Sequence, residues 1–193
     1  MKENVKTIPR DFSAAVKDIK LAILQAHARA ARASNVEALK LYFYVGGYVS
    51  KKTRSAKWGT GALDALSERL QVELPGLRGF SPASIKYMRL FYDAWSPYLE
   101  VQAEGLRQIR HSASDEFQGE DFAAFVSVGF THHREILSRC ETFDERLYYI
   151  HACAKENWTV IELERREDEQ ADRPVDGAGL CPVHRHRDLS GAS

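Results

Sequence analysis

Leu74–Trp95, LPGLRGFSPASIKYMRLFYDAW, moves from a Pro/Gly turn into an aromatic-heavy segment, and its reading decides the fold. Ser81 followed by Pro82 marks a helix start: serine satisfies an orphan backbone N–H, and proline is pre-set for the first helical position. The helix is predicted to run from Pro82 to about Trp95. Ile85, Met88, Phe91, Tyr92 and Trp95 recur at three- and four-residue spacing, so this stripe belongs to the core. The opposite face carries Ser84, Lys86, Arg89 and Asp93, the residue types that a helix in the major groove uses for bases and phosphates. It reads DNA only if that face stays exposed. The connection from Leu74 to Phe80 exceeds the roughly three- to four-residue turn of a standard helix-turn-helix, which leaves a variant of that motif.

Upstream, Thr60 is a candidate N-cap for a helix through Leu63, Leu66 and Leu70. Before it, KKTRSAKWGTG reads as a basic linker holding Lys51, Lys52, Arg54 and Lys57. Such residues suit phosphate contacts, which gain affinity by counterion release without precise base geometry. Trp58, a tryptophan beside glycine at a helix entrance, reads as a plug of the core. Ser34, three residues before Glu37, has capping-box spacing and opens a helix with Leu39, Tyr42, Phe43, Val45 and Val49 inward. Gly46 and Gly47 permit close helix packing there. From Phe12 to Ala33, Val16, Ile19, Ile23, Leu24, Ala26 and Ala30 form one stripe of a separate alanine-rich helix, with Arg29 and Arg32 suited to its C-terminal dipole.

Downstream, SPYLE ends the aromatic helix, VQAEGLRQIR is compatible with one more short helix, and HSASDEFQGED reads as a polar loop. Helices follow near Thr131 to Cys140 and from Phe143 to Glu156, with Leu147, Ile150 and Cys153 inward, and a third opens at Thr159 after a tight connection at Asn157 and Trp158. Beyond Arg166 the apolar periodicity stops. The expected organisation is all-α: a helix-turn-helix-like or winged-helix N-terminal module over 12–98, a second helical part over 118–166 and a disordered tail over 167–193.

The 193 residues carry zero formal net charge, and 44% of them are hydrophobic, enough to build a core. The charge is unevenly placed: residues 1–100 hold 16 Lys+Arg against 9 Asp+Glu, and the remainder hold 11 against 18. A basic front fits a polyanion such as nucleic acid, and salt bridging to the acidic half fits equally. Cys140, Cys153 and Cys181 repeat no short spacing, which supports neither a disulfide framework nor a four-ligand zinc site and points to a reducing cytoplasm. MKENVKTIPRDF has no apolar run of a signal peptide, and no stretch reaches membrane-spanning length.

Three further groupings carry no catalytic or metal expectation. His132 and His133 are adjacent on a helix and point in different directions, which suits a cap or packing better than shared chelation. VIELERR offers Glu162 and Glu164 in imitation of a nuclease carboxylate strand, but it has a glutamate where the lysine belongs, lacks an upstream Pro-Asp strand and follows a helix N-cap at Thr159. Cys181, His184 and His186 have no second cluster with which to close a tetrahedral site. No catalytic residue, metal or cofactor is expected.

LKLYFYVGGYVSKK, KWGTGALDALSERLQVELPGLRGFSPASIKYMRLFYDAW, VGFTHHREILSRC and RLYYIHACAKENWTVIELERR stand in an order and spacing that resemble the N-terminal domain of the YhcG-like bacterial proteins. Trp58-Gly59, Gly79-Phe80-Ser81 and Met88-Arg89-x-Phe91-Tyr92 are its most specific parts, and the likeness covers roughly Ile19 to Arg166. The resemblance implies a mostly helical, winged-helix or helix-turn-helix-like module thought to bind DNA, usually followed by a PD-D/E-x-K nuclease domain that does not follow here. SVGFTHH replaces a more usual Trp-Ser-His run, and Glu167 stands where an apolar residue is expected.

The expected function is a non-catalytic DNA-binding module in which Lys51, Lys52, Arg54 and Lys57 hold phosphates while Ser84, Lys86 and Arg89 approach the groove. Two alternatives accompany it. One is an interaction module that dimerises or docks a separately encoded nuclease or restriction subunit; the other is a remnant whose nuclease half has been lost.

Overall fold

The computed structural model describes residues 12–55, 58–59, 61–101, 109–111 and 119–171. The chain divides into two compact units, residues 1–34 and 35–193. In the first, every residue from 12 to 34 is helical and exposed. The helix to which they belong, α1, spans Phe12–Arg54.

This continuity corrects the expected helix start at Ser34. Residues 12–45 contain neither glycine nor proline and are rich in alanine, so no residue breaks the helix. Glu37 has another use for its side chain, accepting from Lys40 Nζ at 2.6 Å.

In the second unit, α2 covers Ala62–Glu73 and follows Gly61, whose φ of 84° lies in the left-handed region that glycine enters freely. Thr60, the expected cap, falls outside the described residues. Helix α3 covers Pro82–Trp95 as the sequence predicts: Ser81 Oγ accepts from the Ser84 backbone N–H, and Ile85, Met88, Phe91 and Trp95 are buried. The Ser67 hydroxyl donates to the Phe80 carbonyl at 2.8 Å, tying α2 to the turn that launches α3.

Of VQAEGLRQIR, read as compatible with one more short helix, residues 102–108 lie outside the described residues, and the described ends belong to strands β1 (Leu99–Val101) and β2 (Ile109–His111), paired antiparallel with Val101 opposite Ile109. Helical periodicity is blind to such a pairing, which is set between two segments rather than along one. Helix α4 (Glu120–Ser127) begins inside the stretch read as a polar loop. It is followed by α5 (Phe130–Arg139), α6 (Phe143–Glu156) and α7 (Val160–Ala171). A complete capping box between Thr142 and Glu145 starts α6, and Asn157 ends it in the left-handed region at φ 54°.

The expected loss of packing after Arg166 is also corrected, because α7 continues to Ala171 and buries Glu167. Residues 172–193, with Cys181, His184 and His186, lie outside the described set. One core runs through this unit, joining Leu39 and Phe43 of α1, Phe91 and Trp95 of α3, and Phe125, Ile136, Ile150 and Leu163 of α4 to α7. The fold is mostly helical, and among the described residues no helix is long and apolar enough to cross a membrane.

Candidate nucleic-acid interface

Lys51, Lys52 and Arg54 do not stand in a linker but form the last turn of α1, where positive charge complements the exposed carbonyl end of the helix. Lys51 is exposed. Lys52 is half-buried, with its Nζ 5.4 Å from the centre of the Tyr48 ring. Trp58, expected to plug the core, instead stays half-buried and meets the edge of the half-exposed Tyr48 ring at 6.0 Å. Lys57 falls outside the described residues.

Arg54 reaches α3. Its Nη2 lies 2.9 Å from Asp93 Oδ1, and the Ser50 hydroxyl donates to the same oxygen at 2.6 Å. Asp93, expected on the open polar face, is therefore engaged with the end of α1 and opposes part of its charge. The Arg54 side chain remains 72% exposed, so the ion pair leaves room for a phosphate.

On α3 the three predicted residues differ. Lys86 is exposed. Ser84 is half-buried and committed to the helix start, its N–H donating to Ser81 Oγ at 3.2 Å and its own hydroxyl 2.9 Å from that oxygen. Arg89 is half-buried and its Nε has no hydrogen-bond partner. Asp93 follows Lys86 by seven residues, about 10 Å along the axis, so the end of α1 joins α3 two turns beyond Lys86.

A further cation escapes sequence reasoning. Arg134 of α5 is exposed, with its guanidinium 5.2 Å from the centre of the Tyr87 ring, and Tyr87 is the neighbour of Lys86. Residues 87 and 134 are far apart in sequence, and nothing in the α5 pattern sets Arg134 apart. Tyr87 and Arg134 thus pair an aromatic ring with an exposed cation, and Lys86 adds a further exposed cation on the same helix, residue types suited to phosphate contact and stacking.

The other titratable groups serve the fold. His132 Nε2 lies 2.9 Å from the Trp158 carbonyl, whereas His133 is buried with Nε2 3.0 Å from the Phe125 carbonyl. Burial pushes the His133 imidazole down to about 4. Glu162 accepts from the Thr159 backbone N–H at 2.7 Å and from its hydroxyl at 2.9 Å, bonds that hold its carboxyl below the ordinary range. Burial pushes Glu167 up to about 7, with Arg139 at 3.4 Å acting against it, and pushes the Cys153 thiol up to about 12. Among the described residues no group of three His, Cys, Asp or Glu side chains is placed to hold a metal ion.

A family model described as the DUF1016 N-terminal domain matches residues 18–171. No curated protein and no solved structure matches the chain.

Proposed function

Because the chain belongs to the DUF1016 N-terminal domain family, the family of the YhcG-like proteins it resembles, we propose that it is a non-catalytic DNA-binding module of a nuclease- or restriction-type system. Lys86 approaches the groove from α3, with Ser84 and Arg89 behind it, while Lys51, Lys52, Arg54 and Lys57 hold phosphates. Arg134 adds a contact beside Tyr87.

One observation carries this reading: Lys86 is exposed on a helix whose aromatic stripe is buried, and the same helix carries Tyr87, whose ring holds a second exposed cation, Arg134. The succession of α2, α3 and the β1–β2 ribbon supports it, being the order in which a winged helix places its paired helices and its wing. The uneven charge of the chain supports it as well, since the basic front contains every one of these contacts except Arg134.

The test is a fluorescence-anisotropy titration against short duplex DNA at low and moderate salt. Binding should fall with salt, and should be lost when Lys51, Lys52, Arg54 and Lys57 are replaced together by Ala or when Lys86 and Arg134 are. No binding at low salt would overturn the reading.

A further inference from the structure

Residues 12–34 form an exposed helical segment whose apolar side chains follow a second rule besides exposure. Phe12, Val16, Ile19 and Ile23 alternate steps of four and three, and the same alternation continues through alanines at 26, 30 and 33. That spacing averages 3.5 residues, the repeat of a helix that winds around another helix rather than one that merely covers a core. All four large side chains stand in water, from 48% exposed at Val16 to 60% at Ile19.

The width of the seam says what covers it. Lys20 and His27 border one side directly, and Arg29 borders the other beside Ala15 and Ala22. A lipid surface takes a broad apolar face, whereas this one is a narrow stripe with charge at its margins. Leu24, read above with this stripe, lies about 100° around the helix from Ile23 and so falls outside the seam with Leu21, on the side of Lys17, the two being equally exposed at 54% and 56%.

We propose that this seam pairs with the same seam on a second copy of the chain, as a parallel two-stranded coiled coil. The flanking charges favour that partner and direction. In parallel register, Lys20 faces Ala15 of the second copy, His27 faces its Ala22 and Arg29 faces its Ser34, so no like charges oppose each other. An antiparallel pair sets like flank against like flank and brings Lys20 onto Lys20 or His27. The seam runs about 32 Å along the helix. Covering it on two copies removes on the order of 1,000 Å² from water, the threshold of a specific interface, so the dimer is concentration-dependent.

Sedimentation of the full chain without DNA, from about 1 to 100 µM, tests this. The wild type should pass from monomer to dimer within that range, as a pair at the small end of specific interfaces. Val16→Glu with Ile23→Glu should stay monomeric, while Leu21→Glu with Leu24→Glu, the same charge load off the seam, should dimerise like the wild type. Circular dichroism of each variant establishes that the helices persist. Val16→Cys should cross-link to its own copy on oxidation. A wild type that stays monomeric, a seam variant that still dimerises, or an off-seam variant that dissociates equally would overturn the proposal. A dimer that fails to cross-link at position 16 would overturn the parallel register. All these readouts are independent of DNA binding.

Discussion

Gly46 of α1 lies so close to α3 that a β-carbon at position 46 would stand 2.0 Å from the carbonyl oxygen of Met88 and 2.9 Å from Tyr92 Cβ. The first obstacle is backbone, which cannot rotate aside. Gly46→Ala should therefore force α1 and α3 apart and cost about 3 kcal/mol in urea unfolding. At Gly47 the nearest atoms belong to the Tyr92 ring, at 2.8 to 3.3 Å, and a side chain can yield. Gly47→Ala should cost about 1 kcal/mol. Equal losses at the two positions would refute this distinction.

Asn35 sets up a second ordered pair of outcomes. Its side-chain amide donates to the carbonyls of Val126 and Val128, at 2.9 and 3.0 Å, holding the end of α4 against α1. Asn35→Ala leaves both carbonyls without that donor and should cost about 2 kcal/mol. Asn35→Asp should cost more at neutral pH, because a carboxylate has no proton to donate and faces two carbonyl oxygens. Melting temperatures in the order wild type, Ala, Asp would bear this out; an Asp variant as stable as wild type would count against it.

Much of this packing was legible because it is local. The stripe from Ile85 to Trp95 gave α3, Ser81-Pro82 gave its start, and the Gly46-Gly47 pair announced a close approach. What escaped was set by distance in sequence. The Val101–Ile109 pairing, the Asn35 contact with α4 and the Arg134 contact with Tyr87 each join segments that no periodicity relates. Ser34 misled for the opposite reason: a serine three residues before a glutamate has capping-box spacing, yet an unbroken alanine-rich helix has no free N–H groups for it to cap. Glu167 was legible only as an oddity, a carboxylate where an apolar residue was expected, and it is buried.

Glu167 and His133 predict opposing pH dependences. Burial raises the Glu167 carboxyl from 4.5 to about 7, so the folded state holds a proton that the unfolded state releases, and stability falls as pH rises between those values. Burial lowers His133 from 6.5 to about 4, so the unfolded state takes the extra proton, and stability rises as pH rises between about 4 and 6.5. In the shared window the two trends offset each other. Glu167→Gln removes the falling one, since an amide carries no charge beside Arg139, Glu135 and Asp168. The variant should gain stability steadily from about pH 4.5 to 6.5, where the wild type changes little, and should exceed it at pH 8. Parallel profiles would exclude Glu167 as the titrating group.

Asp93 is the point at which fold and DNA binding make competing claims. Its Oδ1 accepts from both the Ser50 hydroxyl and the Arg54 guanidinium, so its charge is set against a cation that the proposed function gives to a phosphate. Asp93→Asn keeps an acceptor for Ser50 and removes the opposing charge. The stability cost should be no more than about 1 kcal/mol, because Arg54 is largely exposed and such pairs contribute little in water. Affinity for duplex DNA at low salt should rise severalfold, and the slope of log K against log salt should steepen by up to about 1 as one more cation becomes available. Arg54→Ala separates this from a general loss of negative charge. In that background Asp93→Asn should give much less of the gain, whereas an undiminished gain would remove Arg54 from the interface and leave the phosphate contacts to its neighbours.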